Sequence, residues 1–217
     1  MNNQEIINQT IEFVKEKLKN AEWWHDWRHI YRVWKLANKL LETEKWDYLT
    51  VQLSVLLHDI ADWKFHDWNE KIWPNIAWEF LKSIWIDNQI IENVKNIILN
   101  IWFKWWNHEQ KFKSPELDIV QDADRLDAIW AIWVARTFSY GWFKWREIYN
   151  PETKPNLNMT KEEYVKSNSP TINHFYEKLL LLKDKMNTAT WKKIAEHRHK
   201  ILENYLEEFY NEWEGKL

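Results

Sequence analysis

Apolar residues recur at spacings of three and four through most of this chain, and this periodicity constrains the fold more than any other feature. The first run is Ile6, Ile7, Ile11, Val14 and Leu18. No stretch alternates with period two for long enough to indicate a sheet, so the sequence predicts an all-α fold. The expected helices cover about 6–18, 27–41, 49–60, 70–84, 87–101, 117–138 and most of 161–214, with a loop over 141–159.

Composition narrows the function classes. The chain of 217 residues has no cysteine, which excludes disulfides, zinc–thiolate sites and iron–sulfur clusters and fits a cytoplasmic protein. Its first ten residues, MNNQEIINQT, lack the features of a signal peptide, and no apolar run is long enough for a membrane span. A net charge of -3 argues against nucleic acid as a partner. We therefore expect neither a nucleic-acid nor a membrane partner.

Three polar segments interrupt these apolar helical patterns: HDWRHI at 25–30, LLHDIAD at 56–62 and QDADRLD at 121–127. A charge on the buried face of a helix is costly unless it is paired or bound to a metal. The pair His58-Asp59 on its own fits a buried ion pair. The order His, His-Asp and distant Asp, all on core-facing helices, instead favours a common metal site. Mixed imidazole and carboxylate ligands suit Mn²⁺, Fe²⁺ or Mg²⁺.

These segments closely resemble the HD superfamily of metal-dependent phosphohydrolases, and especially a branch of small bacterial HD hydrolases. The resemblance implies a single HD-type domain over 1–217: a helical bundle with its core at about 21–140, and a C-terminal helical extension at about 160–214 that completes the pocket. It also implies one divalent metal, for which we expect Mn²⁺ before Mg²⁺ or Fe²⁺. The shared stretches are HDWRHIYRVWKLA, LLHDIADWKFHD, IVQDADRLDAI, ARTFSYG, REIYNPETKP and INHFYEKLLLLKDKMNT.

The resemblance also assigns the metal ligands. It implies His29 from the first segment, His58 and Asp59 from the second, and Asp124 from the third. Asp122 and Asp127 are the rivals for the last position. The match at Ala-Asp-Arg-Leu favours Asp124, and Asp122 is then expected to hydrogen-bond a ligand or a helix end.

A catalytic acid or base is expected beside the second segment. Asp62 lies one helical turn after His58, so both side chains would project from one face. It matches the position at which guanosine tetraphosphate hydrolases of the superfamily carry a catalytic acid, and an exposed helical Asp is the alternative interpretation. Lys64, which follows, could neutralise a phosphate or simply be solvated.

Basic residues of the second half could bind a polyphosphate. The candidates are Arg146, His174, Lys178 and Lys183, of which His174 and Lys178 lie four apart on a predicted helix. An ordinary charged face is the alternative for each of them. His197 and His199 are expected at the surface.

The activity implied by the resemblance is hydrolysis of a nucleoside triphosphate to the monophosphate and pyrophosphate. Phosphomonoester hydrolysis of a nucleotide is the second candidate. A nucleotide-binding regulatory protein without turnover is a third, from a different class. A homodimer is left open by the sequence.

The composition is anomalous in one respect: the chain has 19 Trp and only 2 Gly. We take Trp27, Trp34, Trp63 and Trp213 as genuine aromatic positions, which leaves 15 suspects. Returning those to glycine would bring glycine close to its usual share of about 7%. The hypothesis is a gene from a lineage that reads UGA as glycine, and the alternative is a protein truly rich in tryptophan. Positive φ is expected at Trp46, Trp68 and Trp85, an interrupted loop at Trp142 and Trp145, and overpacking of the core at Trp130 and Trp133.

Overall fold

The computed structural model describes residues 1–19, 26–42, 46–60, 72–101 and 112–216. Within these ranges all regular structure is helical, which confirms the all-α prediction. The helices are α1 (Asn3–Lys17), α2 (Trp27–Leu41), α3 (Tyr48–Leu57), α4 (Ile72–Ser83), α5 (Asn88–Asn100), α6 (Pro115–Asp127), α7 (Ala131–Phe143), α8 (Lys161–Lys166), α9 (Asn173–Glu177), a 3₁₀ helix (Leu179–Lys185) and α10 (Ala189–Trp213). None of the described helices is both long and apolar enough to cross a membrane.

The chain forms two compact units, and the division falls inside α6, after Ala123. In the first unit α3 is the central helix, because every residue from Leu49 to Leu57 is buried. Helices α1, α2 and α5 pack around it, and α4 packs against α5. Such a helix, buried on all sides, is stable only when neighbours cover it completely.

Side-chain caps determine where the two helices that carry the first polar segments begin. Asp26 accepts a hydrogen bond from the backbone N–H of His29 at 3.1 Å, and this bond starts α2. Asp47 accepts from the N–H groups of Leu49 and Thr50 at 3.1 and 3.2 Å, which starts α3. These bonds satisfy donors that a helix cannot satisfy internally, so they fix both helix starts.

The second unit is built around α10, which packs against α7 and the 3₁₀ helix. The connection after α7 returns through two backbone hydrogen bonds, from Thr171 N–H to Glu147 C=O at 2.8 Å and from Ile172 N–H to Ile148 C=O at 3.0 Å. Gly141 of α7 lies against Thr171 so closely that an added Cβ would come within 2.2 Å of the threonine Oγ1. Glycine is therefore required at position 141.

The prediction of one helix over 117–138 is wrong, because α6 ends at Asp127 and α7 begins at Ala131. Trp130 interrupts the run with an extended backbone, φ -117° and ψ 168°. The periodicity misses this break because Leu126 and Ile129, which precede Trp130 at helical spacing, are both buried. The predicted loop over 141–159 is also shorter at its start, since α7 continues to Phe143.

The tryptophans expected to be anomalous do not behave alike. Trp85 and Trp145 have positive φ, 62° and 54°. Positive φ at Trp46 stays a prediction, because the preceding residue lies outside the described residues. Trp68 lies outside the described residues. The prediction that Trp130 overpacks the core is wrong, since that side chain is 41% exposed and covers the guanidinium of Arg198. Trp191, another suspect, is fully enclosed on α10.

Candidate metal centre

Three of the four predicted ligands meet at the end of α3. His29 lies in the first turn of α2, and His58 and Asp59 directly follow the last residue of α3. One donor atom from each of these residues lies within 4.8 Å of the others. The three side chains are buried, with 3%, 2% and 5% of their residue surface exposed. The folded chain thus brings together residues from separate segments, as the motif predicts.

The orientation of His58 is fixed by the helix that precedes it. Its Nδ1 lies 2.7 Å from the carbonyl oxygen of Val55, and a carbonyl can only accept, so Nδ1 must carry the proton. This bond also satisfies a carbonyl at the C-terminal end of α3. The neutral ring then offers the lone pair of Nε2 as its ligand atom, which is how metal-binding histidines are normally oriented.

The electrostatics of the cluster suit a cation. His29 Nε2 lies 3.9 Å from Asp59 Oδ2, and the two imidazole rings are 5.4 Å apart in an edge-to-face arrangement. The C-terminal end of α3 adds partial negative charge at the same point. Two imidazoles, one carboxylate and a helix C-terminus form a buried donor set that a divalent ion fits.

The third polar segment lies in α6. Gln121 is anchored to α5 by a hydrogen bond from its Nε2 to the carbonyl of Asn100, at 2.8 Å. Asp122 and Asp127 are buried, and Asp124 is partly exposed at the start of the second unit. Asp124 is not a member of the described three-residue cluster, and its place as fourth ligand stays a prediction.

The other predicted site residues fall into two groups. Asp62 and Lys64 lie outside the described residues. Arg146 donates from Nη2 to the carbonyl of Ser167 at 2.7 Å, so it holds the local loop together. His174, Lys178 and Lys183 are partly exposed residues of the second unit, on or directly after α9 and in the 3₁₀ helix.

Two buried residues of α10 escaped the sequence analysis. His199 is buried, so the prediction of a surface position is wrong; its Nε2 lies 3.2 Å from Glu203 Oε1. Arg198 donates from Nη1 to the carbonyl of Leu126, in the last helical turn of α6, at 2.6 Å. Burial lowers the pKa of Arg198 to about 10, although the nearby charge of Asp127 opposes that shift. Periodicity could have located both, since they lie one turn after Ala195 on its buried face.

Comparison with known proteins agrees with this geometry. The HD domain family model matches residues 26–129, which include all three clustered residues. The chain is 32% identical over 194 residues to the uncharacterised protein YpgQ of Bacillus subtilis, covering 88% of this chain and 85% of that protein. This chain belongs to the HD superfamily.

Solved structures extend the match over the whole chain. An HD-superfamily hydrolase from Bacillus thuringiensis is 38% identical, with a TM-score of 0.77, and the match covers 99% of this chain and 100% of the other. The structure of Bacillus subtilis YpgQ in complex with ADP is 29% identical, with a TM-score of 0.75 and coverage of 98% and 97%. The class of protein is therefore that of small HD-superfamily hydrolases.

Proposed function

We propose that this protein is a metal-dependent phosphohydrolase that converts nucleoside triphosphates to monophosphates and pyrophosphate. The observation that carries the proposal is the convergence of His29, His58 and Asp59 in a buried cluster at the end of α3. The YpgQ structure with ADP supports a nucleotide as the ligand, because that relative matches this chain over nearly its full length.

The proposed metal shell consists of His29, His58, Asp59 and, from α6, Asp124. The ion is Mn²⁺ in this proposal, with Mg²⁺ and Fe²⁺ as alternatives, because mixed nitrogen and oxygen donors accept all three. Four protein ligands would leave two positions of an octahedral shell for a phosphate oxygen and a water. The ion would supply Lewis-acid polarisation of the phosphoryl group and activation of that water.

The residues of the chain perform the remaining tasks. The Val55 carbonyl keeps the proton of His58 on Nδ1, so Nε2 would be the atom that binds the metal. Asp62 would orient or deprotonate the attacking water. Lys64, Arg146, His174, Lys178 and Lys183 would neutralise the negative charge of the phosphates, because positioning and charge neutralisation dominate phosphoryl transfer.

The test is to identify the released product. Purified protein is freed of metal with a chelator, given Mn²⁺ or Mg²⁺, and assayed for pyrophosphate and phosphate release from ribo- and deoxyribonucleoside triphosphates and monophosphates. The proposal expects pyrophosphate in amounts equal to monophosphate, and none from Asp59→Ala. Phosphate release from monophosphates would instead assign a phosphomonoesterase. Nucleotide binding without any release would assign a regulatory protein.

A further inference from the structure

A partly buried chain of polar side chains connects the two helices that carry the clustered residues. The indole Nε1 of Trp34, in α2, donates to Oε1 of Gln52, in α3. Nε2 of Gln52 then donates to Oδ1 of Asn38, again in α2, at 2.5 Å. Gln52 has no exposed surface. Because an indole nitrogen can only donate, it fixes which way the Gln52 amide faces, and through it the Asn38 amide.

This polar chain lies between the same helices as the proposed ligands. Trp34 follows His29 by five residues, and Gln52 precedes His58 by six. The rest of α3 is apolar except for Thr50 and Ser54, and a single polar residue in a helix–helix core can specify the register of the two helices. A slip of one turn would displace His29 by about 5.4 Å, more than the spacing of the cluster. A shift that leaves the buried Gln52 amide without its hydrogen-bond partners is strongly disfavoured.

We propose that Gln52 is a positioning residue for the metal centre, which sets the register of α2 against α3. This inference rests on the proposed function, since it concerns the same ion. Gln52 does not touch the ion in this account. It keeps His29 at the distance from His58 and Asp59 that the ion needs.

The test compares Gln52→Met, which keeps the length of the side chain but removes its amide, with Leu53→Ala. Leu53 is the next residue of α3 and is equally buried, so its truncation destabilises the same core without breaking a polar bond. Mn²⁺ affinity is measured by electron paramagnetic resonance, and Tm is measured on metal-free protein. Trp34→Phe, which removes one of the two bonds, is a milder third variant.

We expect Gln52→Met to weaken Mn²⁺ binding by about 10-fold or more, the range for loss of residues that orient metal ligands. Trp34→Phe should weaken it less, and Leu53→Ala should lower Tm while leaving the affinity within about twofold. Unchanged affinity in Gln52→Met, or equal weakening in Leu53→Ala, would overturn the proposal. If wild-type protein binds no more Mn²⁺ than Asp59→Ala, the metal centre itself fails instead.

A second inference comes from three helix ends that have the same geometry. After α10, Gly215 has φ 65°, its N–H bonds to Glu212 C=O at 3.1 Å, and the next N–H bonds to Asn211 C=O at 2.8 Å. This pair of bonds is a Schellman motif, whose first residue beyond the cap is usually glycine because it takes the left-handed conformation. The end of α10 thus shows this motif with glycine in the left-handed position.

Trp85 and Trp145 occupy the same position in two further Schellman motifs. After α4, Trp85 N–H bonds to Lys82 C=O at 3.1 Å, and the next N–H bonds to Leu81 C=O at 3.1 Å. After α7, Trp145 N–H bonds to Trp142 C=O at 3.0 Å, and the next N–H bonds to Gly141 C=O at 2.9 Å. The two indoles are 91% and 85% exposed, so burial offers no compensation for their strained backbone.

We infer that positions 85 and 145 are glycine in the protein made by the native cell, with UGA codons read as glycine. For these two positions the inference rests on backbone geometry and not on composition. The end of α10 forms the same motif and has glycine at the corresponding position. The inference does not extend to Trp191, which is buried, or to Trp34, whose indole bonds to Gln52.

The test has a genetic and a physical part. The two codons should be UGA, and peptide mapping of protein from the native cell should give glycine at both positions. UGG codons or tryptophan peptides would overturn the inference. In the chain as written, Trp85→Gly and Trp145→Gly should each raise Tm by about 2–4 °C through relief of the left-handed strain. Trp142→Gly, which is exposed but helical, should lower Tm, and a uniform response of all three variants would contradict the backbone explanation.

Discussion

The two units of the molecule hold their functional candidates in different ways. In the first unit, His29, His58 and Asp59 are short, buried side chains fixed by helix starts and ends. In the second unit, Lys178 and Lys183 are long and partly exposed. Rigid donors at fixed spacing can select a metal ion, whereas long cations adapt to a substrate. Substitutions of the clustered donors should therefore abolish function, whereas substitutions of the two lysines should reduce it only in part.

The largest effect is expected at Asp59. Asp59→Ala removes the carboxylate of the cluster, so it should lose the bound metal and hydrolysis together while helicity stays nearly intact. The loss of metal affinity should be larger than about 10–100-fold, which is the typical effect of substituting residues that only support the ligands. Metal analysis, circular dichroism and a hydrolysis assay check this.

A cap variant provides the control for Asp59→Ala. Asp47→Ala removes the acceptor that starts α3 and should cost about 1 kcal/mol of stability, yet it should retain the metal. Full activity of Asp59→Ala would contradict the assignment of the metal centre.

The next effect distinguishes the two aspartates of α6. Asp124→Asn keeps the size of the side chain and removes its charge, so it should abolish tight Mn²⁺ binding. Asp122→Asn should weaken binding by about 10-fold, as expected for a carboxylate outside the metal shell. Calorimetric titration measures both, and the reverse ranking would move the fourth ligand to Asp122.

The sequence predicted the helical class from local rules, and the resemblance to the HD superfamily predicted that His29, His58 and Asp59 would lie together. A buried His-Asp pair needs compensation wherever it occurs, and periodicity marks a helix without knowledge of its neighbours. The break at Trp130 could not be predicted this way, since Leu126 and Ile129, which lead into it, stay buried at helical spacing. Nor could the role of Gln52, because its partners Trp34 and Asn38 come from another helix.

A smaller, substrate-dependent effect is expected at the lysines of the second unit. Lys178→Glu and Lys183→Glu should raise KM for a triphosphate by about tenfold, equivalent to about 1.4 kcal/mol, and raise KM for a monophosphate ester less. Lys200→Glu, an exposed position of α10, is the control and should change neither. Equal effects on both substrates would favour the phosphomonoesterase instead.

The smallest effect concerns stability. Burial raises the pKa of Glu177 above its ordinary 4.5, although hydrogen bonds from Asn156 and Ser169 and the charge of Arg146 oppose the shift. Its contribution to stability is therefore complete below that ordinary value and is lost as pH rises through the folded-state pKa. Glu177→Gln stays neutral and can still accept from Asn156 N–H, so its Tm relative to wild type should rise as the pH is raised above the ordinary Glu pKa of 4.5. A constant difference across this range would exclude the linkage.

The most direct test of the central claim is a stoichiometric titration of metal-free protein with Mn²⁺, in which bound ion and nucleotide hydrolysis are measured on the same samples. If His29, His58 and Asp59 hold the catalytic ion, hydrolysis rises in proportion to bound Mn²⁺ and saturates when each chain carries a single ion. Hydrolysis by metal-free protein, or full occupancy without hydrolysis of any nucleotide, would contradict the account.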